Sequence, residues 1–172
     1  MSSPISPVLV DCQELVLAAV SDVAENSLFA FADASEQAAF DAAAAAPLDD
    51  GGSTWVNACI DFTGSITGRF TLTVPEPLAR HLCAAFAGAE SADEVSDGDF
   101  LDFVGELANM VCGDWLTRAS RHEAFSLTIP RVHPGPPDNN QPGAAAASEH
   151  VYLSIDDVPI RVQIQWGGND GR

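Results

Sequence analysis

The chain has 172 residues, the size of one domain, and 47% of them are apolar, which places it among globular rather than disordered proteins. It carries 25 acidic against 7 basic residues, a net charge of −18, and every base is an arginine. That balance excludes a row of phosphate contacts and with it nucleic acid, disfavours anionic membrane surfaces, and rules out a P-loop lysine and a Schiff-base lysine.

In chain order, residues 1–7 read as a short tail. Helical spacing runs from about Val8 to Phe31, with Leu15, Ala18, Ala19 and Val23 on one face and Leu28 and Phe29 closing it. Residues 32–53 are expected as a loop, because the alanine run 42–46 meets Pro47, Gly51 and Gly52. Val56, Ala58, Ile60 and Phe62 alternate with polar or small residues, and Phe70, Leu72 and Val74 do the same after a turn at 64–68. Two such runs about a glycine-bounded loop predict a hairpin. Pro75 and Pro77 start a helix whose Leu78, Leu82 and Phe86 recur at four-residue spacing, with Gly88 as its C-cap. An acidic connector follows, and Asp97 or Asp99 is expected to cap a helix from about Asp99 to Arg121. Its core face is Phe100, Val104, Leu107, Val111 and Trp115, and Arg118 and Arg121 suit the last turn. Phe125, Leu127 and Ile129 alternate as a strand ending at Pro130. Residues 131–149, rich in Pro, Asn, Gly and Ala, read as a flexible loop. Strands over 151–155 and 160–166 end the chain, with Arg161, Gln163 and Gln165 on the outward side and an edge able to pair with a second copy.

Cys12, Cys59, Cys83 and Cys112 are scattered with no CxxC pair, and His81, His122, His133 and His150 have no metal-ligand spacing. Buried free thiols, surface histidines and no metal or cofactor of the chain's own are expected. No basic-then-apolar leader pattern and no apolar run of about 18 residues occur, so a cytoplasmic chain is expected.

A helix followed by strands occurs twice. Residues 22–28 align weakly on 103–109, with Glu25 on Glu106 and Leu28 on Asn109. The order predicts a single α+β domain over 1–172, an antiparallel sheet with long helices packed on one face, built from pseudo-duplicated helix–strand–strand units.

The last long helix is the informative segment. Asp102, Glu106, Asn109 and Gly113 fall at i, i+4, i+7 and i+11, a stripe about 16 Å long opposite the apolar face. Asn is a poor interior helix residue, and Gly105 and Gly113 each cost about 1 kcal/mol against Ala. Glycines around two polar groups leave room for another molecule's backbone to approach.

Residues 98–118 resemble the signature helix of the CheX-type chemotaxis phosphatases and their CheC relatives, in which an acid or Ser is followed by Glu, Asn and often Gly. Asp102, Glu106, Asn109 and Gly113 match that pattern position by position. The segment from Val56 to Phe86 and the run Ala24 to Phe29 also resemble this family, and the resemblance extends over roughly residues 8–166. It implies a phosphatase acting on the phosphoaspartate of a CheY-like response-regulator receiver domain. Asn109 would orient the attacking water, and Glu106 would reach the receiver's lysine. Asp102 would be a rim contact, with Met110, Gly113 and Leu116 beside it on the partner surface. Leu28 stands where CheC-type proteins carry a second Asn, which implies one active helix. The Mg²⁺ would belong to the receiver, and a homodimer is possible. The same fold resembles the middle domain of flagellar switch proteins, so the alternative is a non-enzymatic adaptor that binds a phosphorylated receiver or a flagellar component.

Overall fold

The computed structural model describes residues 11–46, 55–139 and 146–167. Helix α1, Cys12–Val23, runs into a π-turn, Ala24–Leu28, and stops at Phe29, whose φ of 54° is left-handed. Then come β1 (Ala32–Ala34), α2 (Gln37–Ala45), the hairpin β2 (Trp55–Thr63) and β3 (Thr67–Pro75), and α3 (Glu76–Ala87). A 3₁₀ turn over Ala92–Glu94 leads to α4 (Asp97–Ala119), short strands β4 (Ser126–Leu127) and β5 (Arg131–Pro134), and a second hairpin, β6 (Ala146–Ile155) and β7 (Val158–Gly167).

The seven strands form one antiparallel sheet in the order β1-β6-β7-β3-β2-β4, with β5 also pairing β2. This is the expected α+β architecture. The two hairpins meet at β3 and β7, and α1 packs beside α4. The halves are crossed: β1 of the first half pairs β6 of the second, while β4 and β5 of the second pair β2 of the first. Alternation along each strand sends Val56, Ala58, Ile60 and Phe62, with Phe70, Leu72 and Val74, into one core beneath α1, α3 and α4. Trp115 of α4 fills the centre, its ring 5.6 Å from that of Phe62 and 6.3 Å from that of Phe70. All four cysteines are buried and free.

Several expectations change. Residues 32–46 are not loop but β1 and α2, and α2 lies on the opposite, polar side of the sheet. There Phe40 packs on the rings of Trp55 and Tyr152 and under the Arg161 guanidinium. Arg161 and Gln163 therefore do face away from α4, but they are buried rather than solvated. Asn57 joins them in a closed polar layer. Its side chain donates to Pro136 O and accepts from Thr73 Oγ1 and Asp138 N, and Arg161 donates to Asp138 O and Asn139. The stretch read as a flexible loop from 131 thus begins with β5 and then straps this layer. Residues 140–145 lie outside the described residues. Only Ser126 and Leu127 of the strand expected over 125–129 are paired. The edge expected over 150–166 is internal in β7, and β1 borders β6 over Leu153–Ile155.

Candidate active site

Helix α4 is capped by Ser96, not by either aspartate. The Ser96 hydroxyl accepts from Asp99 N at 3.1 Å and donates to the Asp99 carboxylate at 2.6 Å, satisfying one of the helix's unpaired N–H groups. At the other end, Arg118 donates to Asp114 of its own helix and to Asp22 of α1, which fixes the two helices against each other. Phe100, Phe103, Val104, Leu107, Val111 and Trp115 are buried, so the outward face is set by the inward one.

That outward face carries the expected stripe. Asp102 and Glu106 are exposed, and Asn109, Met110 and Gly113 are half-buried. The other acids of α4 are engaged: Asp97 by Arg80, Asp99 by Ser96, Asp114 by Arg118. Among the described residues no hydrogen bond or ion pair holds the side chain of Asp102, Glu106 or Asn109. Arg69, Arg80, Arg118, Arg131 and Arg161 are committed elsewhere, to Asp61, Glu76, Asp97, Asp22, Asp114 and the polar layer, so none of these five neutralises the stripe. Among the described residues no three His, Cys, Asp or Glu side chains are grouped so as to hold a metal ion.

Two stripe expectations fail. Leu116 is 3% exposed and packs in the core, so it presents no contact surface. Gly105 is buried, and its missing side chain serves the chain itself: a Cβ there would lie 3.2 Å from Val132 Cγ2 and 3.4 Å from Pro130 Cβ. At Gly113 nothing lies within 4 Å of that position, so it alone of the two leaves open space.

The surface around the stripe is a ridge between two grooves, and Asp102 and Glu106 border both. One groove, about 400 Å³, runs between α4 and the 129–132 segment, with Leu101, Gly105, Pro130 and Val132 in its walls. The other, about 470 Å³, runs between α4 and α3. Phe86, expected in the core, stands at that second groove, 50% exposed and with its ring 5.5 Å from that of Phe103. Ile129, expected inward, is 87% exposed beside the first. Apolar spacing alone gives no sign of either displacement, because Phe86 at i+4 on a helix and Ile129 at i+2 in an alternating run both read as core.

The sequence profile of the family described as chemotaxis phosphatase CheX matches residues 56–151, more than half of the chain. The chain belongs to the CheX family. The matched span takes in both hairpin β2–β3 and helix α4, so the ridge lies inside it. Solved structures share the CheX fold. CheX from Vibrio vulnificus is 18% identical, over 91% of this chain and 97% of that one, with a TM-score of 0.67. A chemotaxis protein from Desulfovibrio vulgaris Hildenborough is 18% identical over 94% and 99%, with a TM-score of 0.68. The CheX–CheY–BeF3–Mg²⁺ complex from Borrelia burgdorferi aligns at 18% identity over 92% and 99%, with a TM-score of 0.59. No curated protein sequence matches this chain. No helix among the described residues is long and apolar enough to cross a membrane.

Proposed function

We propose that the chain hydrolyses the phosphoaspartate of a CheY-like receiver domain, with Asn109 and Glu106 as the working residues. The observation that carries this reading is that, among the described residues, both are unpartnered on the outward side of α4, where Glu106 stands on the ridge between two grooves. Small substrates are held in concave pockets. Groups on a ridge reach a reacting atom when that atom lies in a partner's own cleft. Membership of the CheX family and the CheY complex of a structural neighbour support the same partner.

The chemistry is attack of water on phosphorus, with the aspartyl C–O–P linkage breaking on the phosphorus side. The aspartate leaves as carboxylate, and the water's proton goes with the inorganic phosphate. A carboxamide is no base at neutral pH, but its oxygen accepts from a water and its nitrogen donates to one. Asn109 therefore contributes by holding the water in line, an entropic and geometric effect. Glu106, with no ion-pair partner among the described residues, meets the receiver's lysine in a charge-assisted contact that sets the register. The Mg²⁺ is the receiver's. Asp102, Met110 and Gly113 border the contact.

The test is the decay of ³²P-labelled CheY-like receiver domains with the wild-type chain and with Asn109→Ala. Wild type should accelerate decay, and the variant should lose on the order of a hundredfold of that rate. It should fold at least as stably, because Ala is the better helix residue. A receiver that binds with unaccelerated decay would leave the adaptor reading in its place.

A further inference from the structure

We propose that the groove between α3 and α4 seats an apolar side chain of the receiver, carried on a segment whose neighbouring charges are cationic. This rests on the receiver being the partner and adds how it is gripped. Cys83, Phe86, Ala87, Val95 and Phe103 give the groove an apolar lining. Its rim is acidic, with Glu94, Asp99, Asp102 and Glu106. Asp99 is already bonded to Ser96, but Asp102 and Glu106 have no partner among the described residues.

Each feature restricts the occupant. A half-exposed phenylalanine tilted against a buried one is an apolar contact with one side missing, and a second apolar group completes it. Four carboxyls around that contact repel an acidic segment and favour Lys or Arg beside the anchor. Glu106 belongs to both the groove and the catalytic stripe, so a segment seated here lies against the residue that meets the receiver's lysine. The nearest arginine, Arg80, does not compete for the rim. Its guanidinium donates to Glu76, Asp97 and Val95 O and lies 4.2 Å over the Phe100 ring.

The experiment measures the maximal rate and the half-saturating receiver concentration of the same ³²P decay, for wild type, Phe86→Glu, Glu94→Lys and Asn109→Ala. Phe86→Glu should raise the half-saturating concentration about tenfold while the maximal rate stays within about twofold. Glu94→Lys, on an exposed turn, should raise it severalfold and decides the matter alone if Phe86→Glu does not fold. Asn109→Ala should show the reverse pattern, a lower maximal rate at unchanged half-saturation. Wild-type half-saturation in both groove variants, with Asn109→Ala inactive, would overturn the groove and leave the phosphatase standing. Decay that the wild-type chain accelerates with no receiver would overturn both.

Discussion

Gly105 and Gly113 stand about two turns apart on α4 and meet opposite demands. At Gly105 an added methyl presses on Val132 and on the stiff ring of Pro130, both in the segment that walls one groove. Overpacking of that kind costs about 1–3 kcal/mol, against about 1 kcal/mol gained in helix propensity. At Gly113 the methyl meets nothing, so only the gain remains. Thermal melts should therefore show Gly105→Ala destabilised by about 1 kcal/mol and Gly113→Ala stabilised by about 0.5–1 kcal/mol. Shifts of the same sign in both would contradict the packing described for Gly105. The residue at 113 that would make the better helix is thus the one that narrows the approach to Asn109.

At the scale of the element, α4 is held by its cap and by one arginine. Removing the Ser96 hydroxyl loses an N-cap bond and leaves Asp99 without its partner. Ser96→Ala should cost about 1 kcal/mol and lower Tm by about 2–4 °C; a melt unchanged within error would mean that the bond contributes nothing. How much of the structure was legible follows from what each element buries. Hairpin β2–β3, α3, α4, β6 and β7 are visible because each turns a full apolar face to the core. Helix α2 was missed because its only buried residue is Phe40, so its alanines show no stripe. Strand β5 is Arg-Val-His-Pro, an edge segment with one apolar residue for the helix side, and it shows no alternation. The outward stripe of Asp102, Glu106 and Asn109 was legible for the same reason as the helix: a strict inward face makes an odd outward one stand out. The grooves were not, because they arise from what α3 and the 129–132 segment leave uncovered, and Phe86 at i+4 from Leu82 looks like any core residue. Leu116 was misplaced because it borders the stripe in sequence but turns inward on the helix.

At the scale of the whole molecule, one half-buried carboxyl and two buried thiols set a pH window. The Asp61 carboxyl is held below its usual range by hydrogen bonds from Arg69, then Arg131. Its contribution is present above the unfolded carboxyl range and is lost as pH falls through the folded value. Burial pushes the Cys12 and Cys112 thiols from 9.0 up to about 12, with Glu149 adding to the effect at Cys12. The unfolded chain gives up these protons from about pH 9 while the folded chain keeps them, so stability should decline from there towards pH 12. Melts of Cys12→Ala/Cys112→Ala should show a shallower alkaline decline than wild type, whatever their stability at neutral pH; an identical slope would mean other groups are responsible. The crossing of the edge strands acts on a different timescale, that of synthesis. Asp33 of β1 pairs Ser154 of β6, so β1 leaves the ribosome about 120 residues before its neighbour exists. At cellular elongation rates that is a wait on the order of ten seconds. The amino-terminal half is made with one border strand idle and its own hairpin still lacking β5, so its share of the sheet stays incomplete until β5 and β6 have been made.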